Sequence, residues 1–437
     1  MLRCLTFLHS KFRTRLTIAA ATGLLALAPV SSAFAYTLKT LHSFCTENSC
    51  GDGDTPLAGL LMDASGNLYG TTETGGKYSS GLVFKLIPNA KKTKYTEHVL
   101  HSFCSQAGCP GGAFPSYASL IMDVDGNLYG TTGGGGKFGA GVIYKMRPLA
   151  NGWAYAAIHS FCAKTNCIDG SDPEVGLAYA GQASGAPWDG TSPLFGTTYT
   201  GGANNMGSVY EFSPNGSGWS YQVIHSYSSG FHGGELLVDS SGNLFGTTLL
   251  GGSNSGGTLY RLAAGTWNEA TFHNFCAEAN CSDGWEPSGR LSMDANGNLF
   301  GTAQGGGAGS HCTADHGCGV AFERTAGGKY KVLYDFCSLQ NCKDGQYPSS
   351  GLIVKASGDL LGTTYGGGTG PGGTAFSLSH NNNWAETVLY NFCSEQNCTD
   401  GAGVVAPIIQ DKQGNLYGTA ALAGANGTGG TVFELKP

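Results

Sequence analysis

Charge is scarce in this 437-residue sequence: 12% of the residues are Asp, Glu, Lys or Arg, and the formal net charge is −7. Few basic residues under a net negative balance argue against a nucleic-acid partner, because phosphate neutralisation dominates that affinity. Long apolar runs are missing too. After residue 35 no stretch is apolar enough to span a bilayer as a helix. Nor does that part of the chain carry a 3.6-residue apolar stripe, which excludes a fold of amphipathic helices. Familiar catalytic signatures are absent: no His-Glu-x-x-His helix, no Gly-x-Ser-x-Gly elbow and no P-loop. The sequence therefore points away from catalysis. An acid–base pair assembled from distant segments stays open.

Residues 1–35 read as a secretory signal. Arg3, Lys11, Arg13 and Arg15 precede an apolar run from Leu16 to Ala28, and Ala33-Phe34-Ala35 has the small-x-small pattern of a cleavage site. A retained anchor is the competing reading, against which the run is short. Cleavage before Tyr36 removes four basic residues and no acidic one, moving the charge from −7 to −11, and takes Cys4 away to leave 14 of 15 cysteines. An exported chain with an even number of cysteines is expected to carry disulfides and to work outside the cytoplasm, in the periplasm, at the cell surface or beyond.

What the chain has in abundance is glycine, 72 residues without any three-residue period. One stretch recurs, first as Gly66-Asn67-Leu68-Tyr69-Gly70-Thr71-Thr72. The glycine of its Gly-Thr pair falls at Gly70, Gly130, Gly196, Gly246, Gly301, Gly362 and Gly418, in steps of 60, 66, 50, 55, 61 and 56 residues. Each unit holds four short strand-like runs; in the first they are Tyr36 to Phe44, Leu57 to Asp63, Asn67 to Thr72 and Leu82 to Ile87. Gly, Asn and Asp separate them, as in hairpin-linked strands. Asp63-Ala64-Ser65-Gly66-Asn67 returns at Asp123, Asp239, Asp294 and Asp411 and reads as a tight turn; Asp123 with Asp125 matches only half of a calcium loop.

Seven units of four strands predict an all-β, seven-bladed β-propeller over residues 36–437, one domain of four antiparallel strands per blade. A β-helix is the alternative, with rungs much shorter than these units. With Leu57 to Asp63 innermost and the His-Ser-Phe-Cys run outermost, the chain starts on an outermost strand and ends on a third strand, Thr431 to Leu435. Tyr36 to Phe44 is therefore expected to complete the last blade and close the ring.

The string Gly-Asn-Leu-Tyr-Gly-Thr-Thr, then Gly-Gly, then Gly-x-Val-Phe-x-Leu, then His-Ser-Phe resembles the GloVer tandem-repeat family of secreted bacterial proteins. The resemblance covers essentially all of Tyr36 to Pro437. It implies export and a repeat-built β structure, and no particular reaction.

Six units contain Phe-Cys-x4-Cys: Cys45/Cys50, Cys104/Cys109, Cys162/Cys167, Cys276/Cys281, Cys337/Cys342 and Cys393/Cys398. The fourth unit lacks both cysteines, so two are gained or lost together, as expected of pairs within a unit. Each small loop contributes about 2 kcal/mol on the chain-entropy account. Cys312 and Cys318 lie with His311 and His316 within eight residues, where a zinc or copper site competes with a seventh disulfide; close packing of four ligands strains tetrahedral geometry, and the disulfide is preferred. The Asp-Gly after most second cysteines reads as a turn, with calcium as the alternative. No metal or other cofactor is expected.

Connections alternate between the faces of a propeller, so the cysteine loops and the Gly-Gly loops share one face. Phe114, Trp285 and Tyr347 on the first, and Tyr78, Phe138, Asn204 and Asn205 on the second, are the candidate ligand-binding residues, since rings beside amides suit sugars. The bland alternative is that these rings cover the blade tops. The insertion Gly181 to Ser192, with Trp188, is expected on the opposite face as a separate contact surface. The repeated histidine (His42, His101, His159, His225), replaced by Tyr334 and Tyr390, reads as structural. The leading expectation is a monomeric, secreted, non-catalytic scaffold that binds an extracellular glycan or cell-surface polymer. An adhesion protein of the envelope and a polysaccharide-active enzyme are the alternatives.

Overall fold

The computed structural model describes residues 36–437 except 232–233, 313–316 and 426. The signal-peptide reading of residues 1–35 lies outside the described residues. Seven antiparallel sheets form the blades. In the first, Leu61–Met62, Leu68–Thr72, Leu82–Pro88 and Tyr95–Ser102 are hydrogen-bonded in that order, from the axis outward. Among the described residues there is no α-helix, only short 3-10 turns, and so no helix long and apolar enough to cross a membrane.

Thr37–Ser43 pairs with Thr431–Lys436, from Thr37 opposite Lys436 to Ser43 opposite Thr431, and completes the last four-stranded sheet. The ring is closed by joining the chain ends, as the phase of the repeat requires.

The repeat glycine is held by its neighbours. A Cβ on Gly70 would lie 2.5 Å from Cζ of Phe84 on the third strand, and a ring from the third strand covers the equivalent glycine in every blade, as Tyr144 covers Gly130 and Phe433 covers Gly418. The aromatic at the end of each outer strand then packs on that ring in the next blade: Phe44 on Phe84 at 5.1 Å, Phe103 on Tyr144 at 5.3 Å, Phe392 on Phe433 at 4.9 Å. These contacts join blades through fully buried rings.

The following threonine ties blades by hydrogen bonds. Oγ1 of Thr71, Thr131, Thr247, Thr302 and Thr419 donates to the carbonyls of Pro115, Val175, Pro287, Ser350 and Ala58, each on the next blade's inner segment. The last of these spans the closure.

Two expectations are corrected. The inner run Leu57 to Asp63 forms a ladder only over Leu61–Met62. Upstream of it Gly59 is wedged between Pro407 and Ser119 of the flanking blades, each about 3 Å from a Cβ placed there, so axial crowding leaves no room for a longer strand. Trp188, expected on a separate contact surface, is fully buried, while most of the Gly181 to Ser192 insertion around it is exposed. Its backbone extends the second blade, with Trp188 N–H on the Met122 carbonyl and Val124 N–H on the Trp188 carbonyl. The third blade keeps three strands, its inner segment reduced to the bridge Ala178–Phe195.

The cysteine loops turn before the Asp-Gly as well. In five blades a 3-10 turn comes first and ends on the second cysteine: Asn48–Cys50, Thr165–Cys167, Ala279–Cys281, Gln340–Cys342 and Gln396–Cys398. The cause is local hydrogen bonding inside a very short disulfide-closed loop. The N–H groups of Cys167, Cys281 and Cys398 donate to the carbonyls of Lys164, Glu278 and Glu395, each at 3.0 Å. Those same cysteines adopt left-handed φ values of +50°, +53° and +53°, which reverses the chain. Their carbonyls then accept from Gly170, Gly284 and Gly401, so the Asp-Gly turn follows directly.

Candidate functional site at the mouth of the ring

All seven expected disulfides are formed. Cys45 pairs with Cys50, Cys104 with Cys109, Cys162 with Cys167 and Cys276 with Cys281. Cys312 pairs with Cys318, Cys337 with Cys342 and Cys393 with Cys398. Sγ of Cys318 lies within 4.8 Å of Cys337 and Cys342, and all three sulfurs are committed to disulfides. The Asp after a loop's second cysteine folds back into that loop. Asp344 accepts the N–H groups of Ser338 and Leu339 at 2.8 and 3.1 Å and the hydroxyl of Tyr334 at 2.9 Å. Asp123 likewise takes Asp125 N–H, Asn127 N–H, the Asn127 amide and the Tyr129 hydroxyl, so its oxygens serve the turn.

The cysteine loops and Gly-Gly loops pack on one face. The Gly76 N–H donates to the Cys50 carbonyl, and the equivalent bond recurs from Gly136 to Cys109 and from Gly368 to Cys342. Between each cysteine loop and the inner strand, one residue of six blades adopts a left-handed conformation: Thr55, Phe114, Asp172, Glu286, Tyr347 and Gly403, with φ between +54° and +68°. For a side-chain-bearing residue this costs about 1–3 kcal/mol. Two backbone bonds hold it there. The Phe114 N–H donates to Ser80 of the preceding blade, and its carbonyl accepts from Gly133 of its own. Tyr347 does the same with Cys318 and Tyr365, and the Phe231 carbonyl accepts from Leu249 in the fourth blade. The main chain does the joining, so the side chains differ.

These side chains meet others around the axis. Ser116 donates to Glu73 at 3.0 Å, and a Cβ on Gly133 would lie 2.7 Å from Oδ1 of Asp172. Burial, then Asp172 and Glu73, push the Glu174 carboxyl up to about 7. Burial raises Asp172 as well. The Tyr117 hydroxyl is raised by burial and then by Glu73, Glu174 and Tyr365, the last from the sixth blade across the mouth. Tyr199 stacks on Phe231 at 4.6 Å. Deeper, Glu235 accepts the Ser119 N–H at 3.3 Å and faces Arg290 at 3.7 Å, tying the second, fourth and fifth blades together on the axis. The mouth is thus a floor with aromatic and carboxylate walls.

Of the sequence candidates, Phe114 and Tyr347 hold the left-handed position that Asp172 holds in its blade. Trp285 lies one residue before the equivalent position, its backbone paired with Gly305. Tyr78 and Phe138 are exposed on the Gly-Gly tips, each under its neighbouring lysine at 5.5 and 5.3 Å. Asn204 donates to the Tyr227 carbonyl just past the end of the outer strand, and Asn205 accepts from the Gly201 N–H within its own loop, so both are engaged in the frame. Glu73, Tyr117, Asp172, Glu174, Tyr199, Phe231 and Tyr365 were not picked out in the sequence. Aligning the units on the proline after the cysteine loop would have found Asp172 beside Phe114 and Tyr347.

The family model described as the Gloeobacter/Verrucomicrobia repeat matches residues 27–186 and 182–433. The chain belongs to that family. No curated protein matches it. Among solved structures, the extracellular domain of a one-component system from B. thetaiotaomicron is similar at 10% identity and TM-score 0.50, over 91% of this chain and 39% of that one. This chain therefore spans well under half of that structure. A Bacteroides uniformis protein described as a 6-phosphogluconolactonase is similar at 10% identity and TM-score 0.48, over 81% of this chain and 95% of that one. Identities this low show the fold alone. Seven disulfides fit an oxidising, extracytoplasmic setting.

Proposed function

We propose that this protein is an exported binding scaffold that takes a glycan or cell-surface polymer at the axial mouth of the cysteine-loop face. The observation that carries this reading is the left-handed position repeated around the axis. Its main chain is bonded to the preceding blade and to its own, while its side chains include Phe114 and Tyr347, and at the matching place of the fourth blade Phe231 stacks on Tyr199. Rings offer stacking faces to pyranoses, and Glu73, Asp172 and Glu174 accept hydroxyl hydrogen bonds. We take the scaffold to act as a monomer and, in this reading, without catalysis.

Glu174 favours a second reading. A carboxyl raised to about 7 beside two other carboxylates is the form a general acid takes in glycoside cleavage. A glycan array probed with the purified protein, followed by a reducing-sugar assay on every hit, separates the two. Binding that Phe114→Ala and Tyr347→Ala abolish, without product release, supports the scaffold. Product release lost in Glu174→Gln supports the enzyme, and an array with no hits sinks both.

A further inference from the structure

The cysteine loop recurs in six blades, and one copy lacks its clamp. In five loops an aspartate two residues after the second cysteine accepts the N–H groups of the two residues that follow the first. Asp169 takes those of Ala163 and Lys164 at 2.8 and 3.1 Å, and Asp283 those of Ala277 and Glu278 at 3.1 and 3.2 Å. In the loop from Cys104 to Cys109 that position is Gly111.

The loop also lacks the 3-10 turn of the other five, but the aromatic stack and the tyrosine bond beside it are retained. His101 stacks on Tyr155 of the next blade at 3.9 Å, as His159 stacks on Tyr221 at 4.1 Å and His273 on Tyr330 at 3.7 Å. The Tyr155 hydroxyl donates to the Gly111 carbonyl, as Tyr221 does to Asp169 and Tyr330 to Asp283. What replaces the carboxylate is a cavity of about 160 Å³ lined by His101, Cys104, Ser105, Gln106, Pro110, Gly111 and Tyr155. Ser105 and Gln106 are the two residues whose N–H groups the missing carboxylate would take. No lining residue is acidic. A Cβ on Gly111 meets only the Tyr155 ring, at 3.4 Å, so the glycine is not required by crowding.

We propose that this cavity binds one carboxylate group from outside the chain, held by the N–H groups of Ser105 and Gln106 and the imidazole of His101. The ligand is a small carboxylic acid or the carboxylate of a uronic acid unit. Five other loops of the same ring hold a carboxylate by the same backbone donors, and Oδ2 of Asp283 stands 3.0 Å from Nε2 of His273. Charge-assisted bonds to backbone N–H groups are the stronger kind. The rings packed on His101 are Phe103 and Tyr155, both uncharged, and burial alone brings its pKa down to about 4. An anion bound against it favours the protonated ring, so binding couples to proton uptake. The proposal stands apart from the mouth and does not need the glycan reading.

The test follows the His101 imidazole by NMR in the intact mature protein, its signal assigned by loss in His101→Gln. Sodium acetate is titrated against sodium chloride, and a galacturonate trisaccharide against a neutral one. A saturable shift with acetate, a His101 pKa higher by about one unit, and no response to chloride are expected. Response to the uronate as well assigns the ligand to acidic glycans; response to acetate alone assigns it to free small acids. Gly111→Asp supplies the carboxylate in cis, so it should raise the His101 pKa and the melting temperature unaided and remove the acetate response. A His101 signal unmoved by acetate, or moved equally in Gly111→Asp, overturns the proposal.

Discussion

The threonine after the buried glycine and the residue before the inner segment each occur once per blade, yet only the first keeps its identity. It is Thr71, Thr131, Thr197, Thr247, Thr302, Thr363 and Thr419. The second is Thr55, Phe114, Asp172, Phe231, Glu286, Tyr347 and Gly403. The threonine joins blades in most copies through its own hydroxyl, so only that side chain serves. In six blades the second position reaches the preceding blade through its N–H and its own blade through its C=O, groups that every one of these residues has. Side-chain bonding holds a sequence constant; main-chain bonding releases it for recognition.

The largest expected effect tests the scaffold side. Deleting Tyr36 to Phe44 removes the fourth strand of the last blade and exposes the edge of Thr431–Lys436. Stability should fall far beyond what the lost contacts account for, with aggregation or loss of a cooperative transition. An unchanged melting temperature would show the ring does not depend on its closure. Next comes Gly70→Ala, whose Cβ would lie 2.5 Å from Phe84 and 3.2 Å from Leu60. Overpacking of this kind costs about 1–3 kcal/mol, read from a denaturant midpoint. Thr419→Val keeps the shape but leaves the buried Ala58 carbonyl without its donor, for about 1–2 kcal/mol. A neutral result there would deny the threonine its joining role.

A pH effect belongs to the rim. Burial and neighbouring acids, Asp52 for Glu97 and Asp344 for Glu386, push both carboxyls up to about 8. A carboxyl raised in the folded state costs nothing while it is protonated in both states. As pH rises from about 4.5 toward 8 the unfolded chain ionises first, and stability is lost. Glu97→Gln and Glu386→Gln should therefore stabilise at pH 8 and be near neutral at pH 4. Equal effects at both pH values would remove the electrostatic cause.

The scaffold was legible because hydrophobic runs and turn residues repeat with it: the blade number, the closure by Tyr36 to Phe44 and the cysteine pairs all follow from spacing. The mouth was not. The residue before a proline is ordinarily extended, so nothing in Phe114-Pro115 or Tyr347-Pro348 announces a left-handed turn that aligns them around an axis. Glu73 and Glu174 come from different positions of two different units, and only the arrangement of the blades brings them toward Tyr117 and Tyr365. Trp188 was misread for a related reason: its partners, Tyr129 and Trp219, belong to other strands of two blades, and no local pattern predicts such a contact.

The smallest stability effect is the sharpest test of the contrast. Phe114 exposes 43% of its surface, and its backbone bonds to Ser80 and Gly133 survive any side chain. Phe114→Thr copies the residue of the first blade, Thr55, which already holds φ +60° there. The change should leave unfolding within about 0.5 kcal/mol of the parent, the range for exposed sites without special contacts, while weakening ligand capture at the mouth by the several-fold that loss of a stacking ring implies. Loss of stability comparable to Gly70→Ala would mean the side chain, like the threonine's, is part of the frame. Retained stability with retained binding would move recognition away from the ring, toward the exposed Tyr78 and Phe138 tips.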